Sequence, residues 1–410
     1  MGSEWKTLTL REAGITLIDC DHRTPSAAPS GYPYITIPQL KDGHIDVADA
    51  RRITRHDYEN WTKKLKPRVH DVIIVRRCSS GVSAVIPKGL ECAIGQNLVV
   101  LRSDGRQVLP EFLRWLVRGD EWWEQVRKFL NVGAVFDSLK CKDIPNFEVP
   151  IPPLEYQLVI TQLLNGLDDK IALLRETNAT LEAIAQALFK SWFVDFDPAR
   201  AKAEGCNPEG VPPDVVDLFP GEFEDSELGA MPKGWRIARV GDLLELAYGK
   251  ALKATDRQPG AVPVYGSGGI NGTHNRALID MPTVIVGRKG TVGSLYWEER
   301  SCFPIDTVFY VKPMLASLEF CYRVLQAQPL RDMNTDAAVP GLNRENVYRL
   351  KFCLPHEKCC HAFDDITGPL RNRMQTNLNE IELLSNLRDA LLPRLMSGKL
   401  RIPEAEEAFV

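Results

Sequence analysis

The chain has 410 residues, of which 44% are hydrophobic and 25% charged, with a formal net charge of -4 and 10 cysteines. At about 150 residues per domain this length suffices for two or three domains, each with its own core. No apolar run approaches the ~18 residues of a membrane-spanning helix, and the scattered cysteines contain no CxxC pair for a zinc ribbon or disulfide framework.

Residues 1 to 10 lack the apolar stretch of a signal peptide, so a soluble, cytoplasmic protein with reduced thiols and no metal site is expected. The charge is uneven along the chain. Residues 1–150 carry a net +3, 151–230 a net -10, 231–350 a net +4 and 351–410 a net -1. Two mildly basic blocks thus alternate with an acidic middle and a near-neutral tail, which on its own is weak evidence for a polyanionic partner.

The first block, residues 1–152, opens on Trp5 and Leu8 and runs through the apolar stretch VIIVRRCSSG (72–81). It ends in DSLKCKDIPNFEVPIPPLEYQ (137–157), a short apolar strand leading into a proline-led helix start. A long helix occupies 153–196. An acidic linker rich in Pro and Gly follows over 197–230, expected as an exposed strap, since Pro198 stops the helix and no periodicity succeeds it. The second block, 231–352, opens on Trp235 and Val240 and contains VIVGRKGTVG (284–293), the counterpart of 72–81. Residues 353–410 supply a second long helix and a tail.

An offset of 203 residues lays PGLNRENVYRLKFCLPHEKCC (340–360) on 137–157 and superposes Leu139 on Leu342, Phe147 on Leu350, Val149 on Phe352 and Pro152 on Pro355. The chain is therefore two copies of one unit, a globular domain followed by a helix.

Both helices carry a heptad seam. Ile160, Leu164, Leu167, Ile171, Leu174, Asn178, Leu181, Ala185, Leu188 and Trp192 fall at alternating steps of four and three. The same register in the second copy gives Phe363, Thr367, Leu370, Met374, Asn377, Ile381, Leu384, Arg388, Leu391 and Leu395. The fold class expected is α+β, with two globular α/β domains separated by two long antiparallel coiled-coil helices in a pseudo-twofold internal repeat. A helix of this length spans ~57 Å. A buried Asn in such a seam sets register when paired, so Asn178 is expected to face Asn377.

No chemistry of its own is legible in the chain. GDLLELAYGKA (241–251) lacks the spacing and hydroxyl of a phosphate loop. His356, Glu357 and His361 mimic a zinc-protease motif, but the histidines are five apart, on different helix faces. There is no GxSxG and no NPPY or DPPY adenine-methylase motif. What the two blocks offer instead are Gly-rich loops bearing basic, amide and aromatic side chains. In the second block these are Tyr265, Ser267, Asn271, His274, Asn275, Arg288, Lys289 and Thr291; in the first, Arg51, Arg52, Arg55, Arg76, Arg77 and Ser79, near His56, Tyr58 and Ser80. Glycine admits close approach of backbone to phosphate, Arg and Lys contact phosphate or guanine, and Asn can read adenine, so the set points to DNA.

The runs IPPLEYQLVITQLLNGLDDKIALLRETNATLEAIAQALFKSWFVDF (151–196), LFPGEFEDSELGAMPKGW (218–235), VPVYGSGGINGTHN (262–275), FPIDTVFYV (303–311) and LRDALLPRLMSGKLRI (387–402) resemble the specificity subunit of type I restriction-modification systems. The resemblance covers nearly all of 151–410; residues 1–150 match mainly in framework. It implies two target recognition domains that each read half of a split double-stranded DNA site, with the antiparallel helices setting the gap. It further implies docking of two modification subunits that methylate adenine at N6 and of two restriction subunits that translocate and cut DNA. S-adenosylmethionine, ATP and Mg then belong to those partners, with no cofactor in this chain. The second helix start, LPHEKCCHAFDDI, departs from the pattern by lacking counterparts of Glu155 and Gln157. The alternatives are a coiled-coil scaffold with no DNA role and the recognition part of a methyltransferase-nuclease fusion.

Overall fold

The computed structural model describes residues 5–131, 137–208, 210–334 and 341–400. Pro340 of the repeat match and Arg401 and Ile402 of the C-terminal run lie outside the described residues. The chain divides into two compact units, residues 1–173 with 381–410, and residues 174–380. The expected boundaries set the helices apart as separate elements, whereas each unit takes in part of both helices. The reason is packing: an amphipathic helix this long buries its stripe against whichever core lies beside it.

In the first unit Lys6–Thr9 pairs antiparallel with Glu148–Ile151, which brings the start of the domain beside the strand that feeds the helix. A four-stranded antiparallel sheet has the order Ile15–Asp19, Leu98–Ser103, Val72–Val75, Ser83–Val85. Val72–Val75 is buried at every residue, as an unbroken β-branched run covered on both faces should be. A three-stranded sheet places Tyr32–Ile35 between Arg51–Ile53, antiparallel, and Ala93–Ile94, parallel.

Among the described residues the second unit repeats the topology of these three sheets, without the extra hairpin Leu40–Lys41 and His44–Ile45 that the first unit carries. Arg236–Arg239 pairs with Lys351–Leu354. The four-stranded order is Leu244–Tyr248, Val308–Pro313, Thr283–Gly287, Leu295–Glu298. Val262–Gly266 lies between Gly269–His274, antiparallel, and Phe303–Pro304, parallel. The sequence repeat is thus a repeat of fold, including the crossover that makes one pairing parallel.

The long helices span Leu154–Phe193 and Glu357–Met396, and none of the named seam positions is exposed. In the second unit Asn178 meets Asn377, Glu182 meets Arg371, and Phe189 meets Phe363, so partner numbers fall as helix numbers rise and the segments run antiparallel. Asn377 Nδ2 donates to Asn178 Oδ1 at 2.7 Å, and Asn178 Nδ2 donates to the Met374 carbonyl at 3.1 Å. Phe189, Phe193, Phe320 and Phe363 pack edge to face, anchoring this domain to both helix segments. In the first unit Leu164, Leu167, Leu391 and Leu395 share a core with Phe112, Trp115 and Phe147.

Apolar periodicity did not reveal the buried charges beside these seams. Asp168, 1% exposed, accepts from Arg388 Nη1 at 2.7 Å and from Arg114, with His44 Nε2 at 3.2 Å. Burial alone would push its carboxyl up; the His44 hydrogen bond and the guanidiniums of Arg114 and Arg388 outweigh that and hold it well below the usual carboxylate range. In the second unit Arg371 pairs with Glu319 at 2.8 Å, and Arg323 is fully buried between Glu319 and Glu182. Arg371 is the repeat counterpart of Asp168, and Arg114 and Glu319 each stand second in the helices Leu113–Leu116 and Leu318–Gln326. The same clasp between domain and helix is therefore built twice with its charges exchanged.

The linker differs from the exposed strap expected of it. Residues Asp197–Ala203 and Pro213–Val216 are helical, and Phe223–Ser226 forms a hairpin with Gly229–Pro232. Phe219 is buried, with its ring centroid 5.2 Å from that of Trp192 and 6.0 Å from that of Trp235. An aromatic residue within an acidic run was the available signal, because its burial outweighs the polarity of its neighbours. The first long helix ends at Phe193, and Phe196 adopts φ 60° to turn the chain into the next helix.

Candidate nucleic-acid interface

The loops after Val72–Val75 and Thr283–Gly287 are built by matching backbone hydrogen bonds. In the first unit Gly81 N donates to Val75 O, Arg76 N to Asn97 O, and Leu139 N to Arg76 O; in the second, Gly293 N donates to Gly287 O, Arg288 N to Thr307 O, and Leu342 N to Arg288 O, all at 2.8–3.0 Å. Gly81 and Gly293 have φ of 96° and 69°, and a Cβ at Gly293 would stand 2.4 Å from the Leu330 backbone, so glycine is required to close the loop. This geometry sets Arg76 and Arg77 in one unit, and Arg288 and Lys289 in the other, at equivalent strand ends.

Within these loops Arg77 and Lys289 are exposed, and neither side chain makes a hydrogen bond or ion pair among the described residues. Arg76 is half-buried, with Nη1 3.5 Å from the Leu139 carbonyl. Ser79 and Thr291 are exposed on the same loops. Arg288 is half-buried over the rings of Tyr248 and Phe309, with its guanidinium carbon 5.1 and 5.8 Å from the two centroids. Its N–H edges remain free among the described residues.

The other candidates divide differently. VPVYGSGGINGTHN was expected to be loop; it forms the hairpin Val262–Gly266 and Gly269–His274, with Ser267 and Gly268 at the turn. The glycines serve the hairpin, Gly269 at φ 99° and Gly272 at φ 100°, and strand pairing consumes the backbone donors that a loop would leave open. Tyr265 is only 5% exposed and donates its hydroxyl to Glu298 Oε2 at 2.9 Å; burial, with Glu298 beside it, pushes the phenol well above its ordinary range. His274 is buried, its Nδ1 3.1 Å from the Gln258 amide. These two side chains support the domain and do not offer free edges. Asn271 and Asn275 are exposed, though Asn275 Nδ2 donates to Gln258 Oε1.

In the first unit Arg51 Nη1 donates to the Pro25 carbonyl at 2.7 Å and Arg52 Nη2 to the Val47 carbonyl at 3.3 Å, so both brace loops. Arg55 pairs with Glu59 one helical turn on. The structure thus brings Arg76, Arg77 and Ser79 together on one loop and sets the Arg51 to Arg55 group on another strand and helix.

Sequence reasoning missed Tyr248 and Arg344. Arg344 begins the helix Arg344–Tyr348 and lies 5.1 Å from the Tyr248 centroid. The cross-strand partner of Tyr248 is Phe309, and in the first unit the matching partner of Val99 is Asp19, whose Oδ2 lies 2.9 Å from His22 Nε2. The two heads share a frame but differ in chemistry at this corner. Among the described residues no helix is long and apolar enough to cross a membrane.

A family model for the type I restriction modification DNA specificity domain matches residues 4–183 and again 232–359, one match for each copy of the repeat. The HindI specificity subunit of Haemophilus influenzae is 26% identical over 379 residues, covering 75% of this chain and 81% of that protein. The MjaIX specificity subunit of Methanocaldococcus jannaschii is 25% identical over 416 residues, covering 93% and 90%. Among solved structures, the type I restriction-modification S subunit from M. genitalium superposes with a TM-score of 0.50 at 16% identity, covering 95% of this chain and 96% of that one, and shows the shared fold. With the doubled model match spanning most of its length, this chain belongs to the type I restriction-modification DNA specificity family.

Proposed function

We propose that the chain is the non-catalytic recognition subunit of a type I restriction-modification complex and reads a bipartite duplex site, one half with each domain. The observation that carries this reading is the duplicated loop, which in both units holds an exposed cation, Arg77 or Lys289, with no protein partner among the described residues. Cations held in one frame on two domains suit phosphates at two places on a duplex, where backbone contacts set register and base edges supply sequence. Exposed Ser79, Asn271 and Thr291 are candidate base or phosphate contacts.

In this reading the long helices set the gap and dock two modification subunits, and the complex recruits two restriction subunits. S-adenosylmethionine, ATP and Mg belong to those partners, and the complex works in the cytoplasm. The buried clasps around Asp168 and Arg371 hold each domain to its helices, which a fixed gap requires.

The test is a footprint of the full chain with its modification subunit on duplex DNA over a salt series. The reading predicts two protected blocks whose affinity falls steeply with salt. A coiled-coil scaffold gives no footprint and salt-independent partner binding, and that outcome would refute the proposal.

A further inference from the structure

The corner of the second unit around Tyr248 is built more firmly than a surface tyrosine requires. Tyr248 ends the strand Leu244–Tyr248 and is 49% exposed. The guanidinium carbons of Arg288 and Arg344 each lie 5.1 Å from its ring centroid, and Phe309 meets the ring edge to face at 5.0 Å. Arg344 also lies over Tyr348, at 5.5 Å.

Each arginine is fixed through its backbone. Arg288 accepts at its carbonyl from Leu342 N, which ties the loop to the segment leading into the helix Arg344–Tyr348. Asn343 caps that helix by accepting from the Glu345 and Asn346 amides at 2.8 and 3.3 Å. The Tyr348 hydroxyl oxygen accepts from Leu246 N at 2.8 Å, pinning the helix to the strand that carries Tyr248. A Cβ at Gly241 would stand 2.9 Å from Tyr348, so the helix packs tightly at that point.

Stacking on a ring engages the face of a guanidinium and leaves its N–H edges free, while lowering the entropy lost when those edges bind. Lys289 follows directly on Arg288 in sequence, and Lys250 stands two residues after Tyr248. Among the described residues these four cations share one ion pair, Arg344 Nη2 to exposed Glu345 Oε1 at 3.5 Å. A fixed, under-neutralised pair of guanidinium edges suits a polyanion whose contacts are planar or bidentate, a phosphodiester or the O6/N7 edge of guanine.

We infer that Tyr248 holds Arg288 and Arg344 as a preset guanidinium pair that grips the half-site read by the second unit, with Arg344 in direct contact with DNA and Tyr248 as the positioning residue. The inference rests on the DNA reading above and adds to it a contact residue and an inequality between the two heads, since the first unit has Asp19 where the second has Tyr248.

The test selects a target from a randomised duplex pool with the wild-type full chain and its modification subunit, then measures affinity for that duplex across salt. Arg344→Gln should weaken binding by about fivefold or more, and Arg344→Lys, which keeps charge but loses the planar stack, should remain weakened. Tyr248→Leu should weaken binding comparably, and Tyr248→Phe, which restores the ring face, should recover it. A loss that lowers the salt slope by about 1 marks a phosphate contact; a loss at constant slope with relaxed preference at one base pair marks guanine, and either supports the inference. Wild-type-like binding by both Arg344→Gln and Tyr248→Leu overturns it while leaving the DNA reading intact, as do equal losses in the Leu and Phe variants for the role of the ring. Failure of the wild-type chain to enrich any duplex overturns the reading and the inference together.

Discussion

Replacing Asp168 with alanine tests whether the buried clasp holds the first domain to its helices. Around that carboxylate three guanidiniums, Arg114, Arg118 and Arg388, meet three carboxylates, Asp42, Asp168 and Asp389, of which Asp168 is 1% exposed and the other two are 41% and 60% exposed. Arg388 is 2% exposed, so without Asp168 its charge stays buried with only the more solvated pair to balance it. Stranding one member of a buried pair costs about 3–5 kcal/mol, and the surviving Asp42 and Asp389 argue for the lower end, about 3 kcal/mol. For a unit of about 200 residues the unfolding entropy is roughly 0.4 kcal/mol/K, so the transition of this unit should fall by ~7 °C. Calorimetry of the full chain at pH 7 measures it. The double variant Asp168→Ala with Arg388→Met should lose less than the sum of its singles, because Arg388 no longer contributes a stranded charge and only Arg114 is left without its carboxylate. The folded carboxyl binds a proton less readily than the unfolded one, so its contribution is complete above the unfolded value of about 3.9 and declines as pH falls toward the depressed folded value. The gap between wild type and variant should therefore narrow below about pH 4. An unchanged transition in the single variant, or strict additivity in the double, would refute this reasoning.

Other expectations follow from the seam, the helix start and the thiols. Asn377→Leu leaves Asn178 Oδ1 without its donor and should cost about 1–3 kcal/mol in urea unfolding, whereas Asn178→Leu with Asn377→Leu should recover much of that loss. Gln157 is fully buried and bonds Leu109 N, Gln107 O and Pro152 O, so Gln157→Ala should destabilise the first unit by at least about 2 kcal/mol. Cys78 and Cys206 are exposed while seven of the ten cysteines are buried, with burial pushing the thiols of Cys92 and Cys321 up to about 12. Native protein at pH 8 should therefore show two rapidly titrating thiols, with the buried set reacting only on unfolding.

The repeat, the two helices and the strand preceding each were legible because period and offset survive divergence: Leu139 and Leu342 fill the same place, and so do Val149 and Phe352. The paired loops were legible too, since VIIVRRCSSG and VIVGRKGTVG keep their strand and their closing glycine. Less was visible wherever a contact joins residues distant in sequence. Nothing local marks Asp168 as buried, for its neighbours Asp169 and Lys170 are exposed and its partners lie 54 and 220 residues away. Tyr248 and Arg344 are 96 positions apart and meet only through the sheet and the capped helix. Tyr265 and His274 failed as candidates for the opposite reason: a Gly-rich run suggested open loop, and cross-strand pairing turned it into a hairpin that buries both. In the second helix Cys360 stands where Gln157 stands in the first, so the three hydrogen bonds that close the first helix start have no counterpart from that position.

The measurement that bears most directly on the central claim is a methylome of a strain expressing this chain with its modification subunit, read at single-base resolution. Two-domain recognition predicts one N6-methyladenine motif made of two specified blocks separated by a fixed unspecified gap. A substitution at Lys289 or Arg344 should then erode methylation by weakening the second unit's grip, leaving the gap unchanged. A continuous motif, or no motif beyond that of the host, would contradict the account.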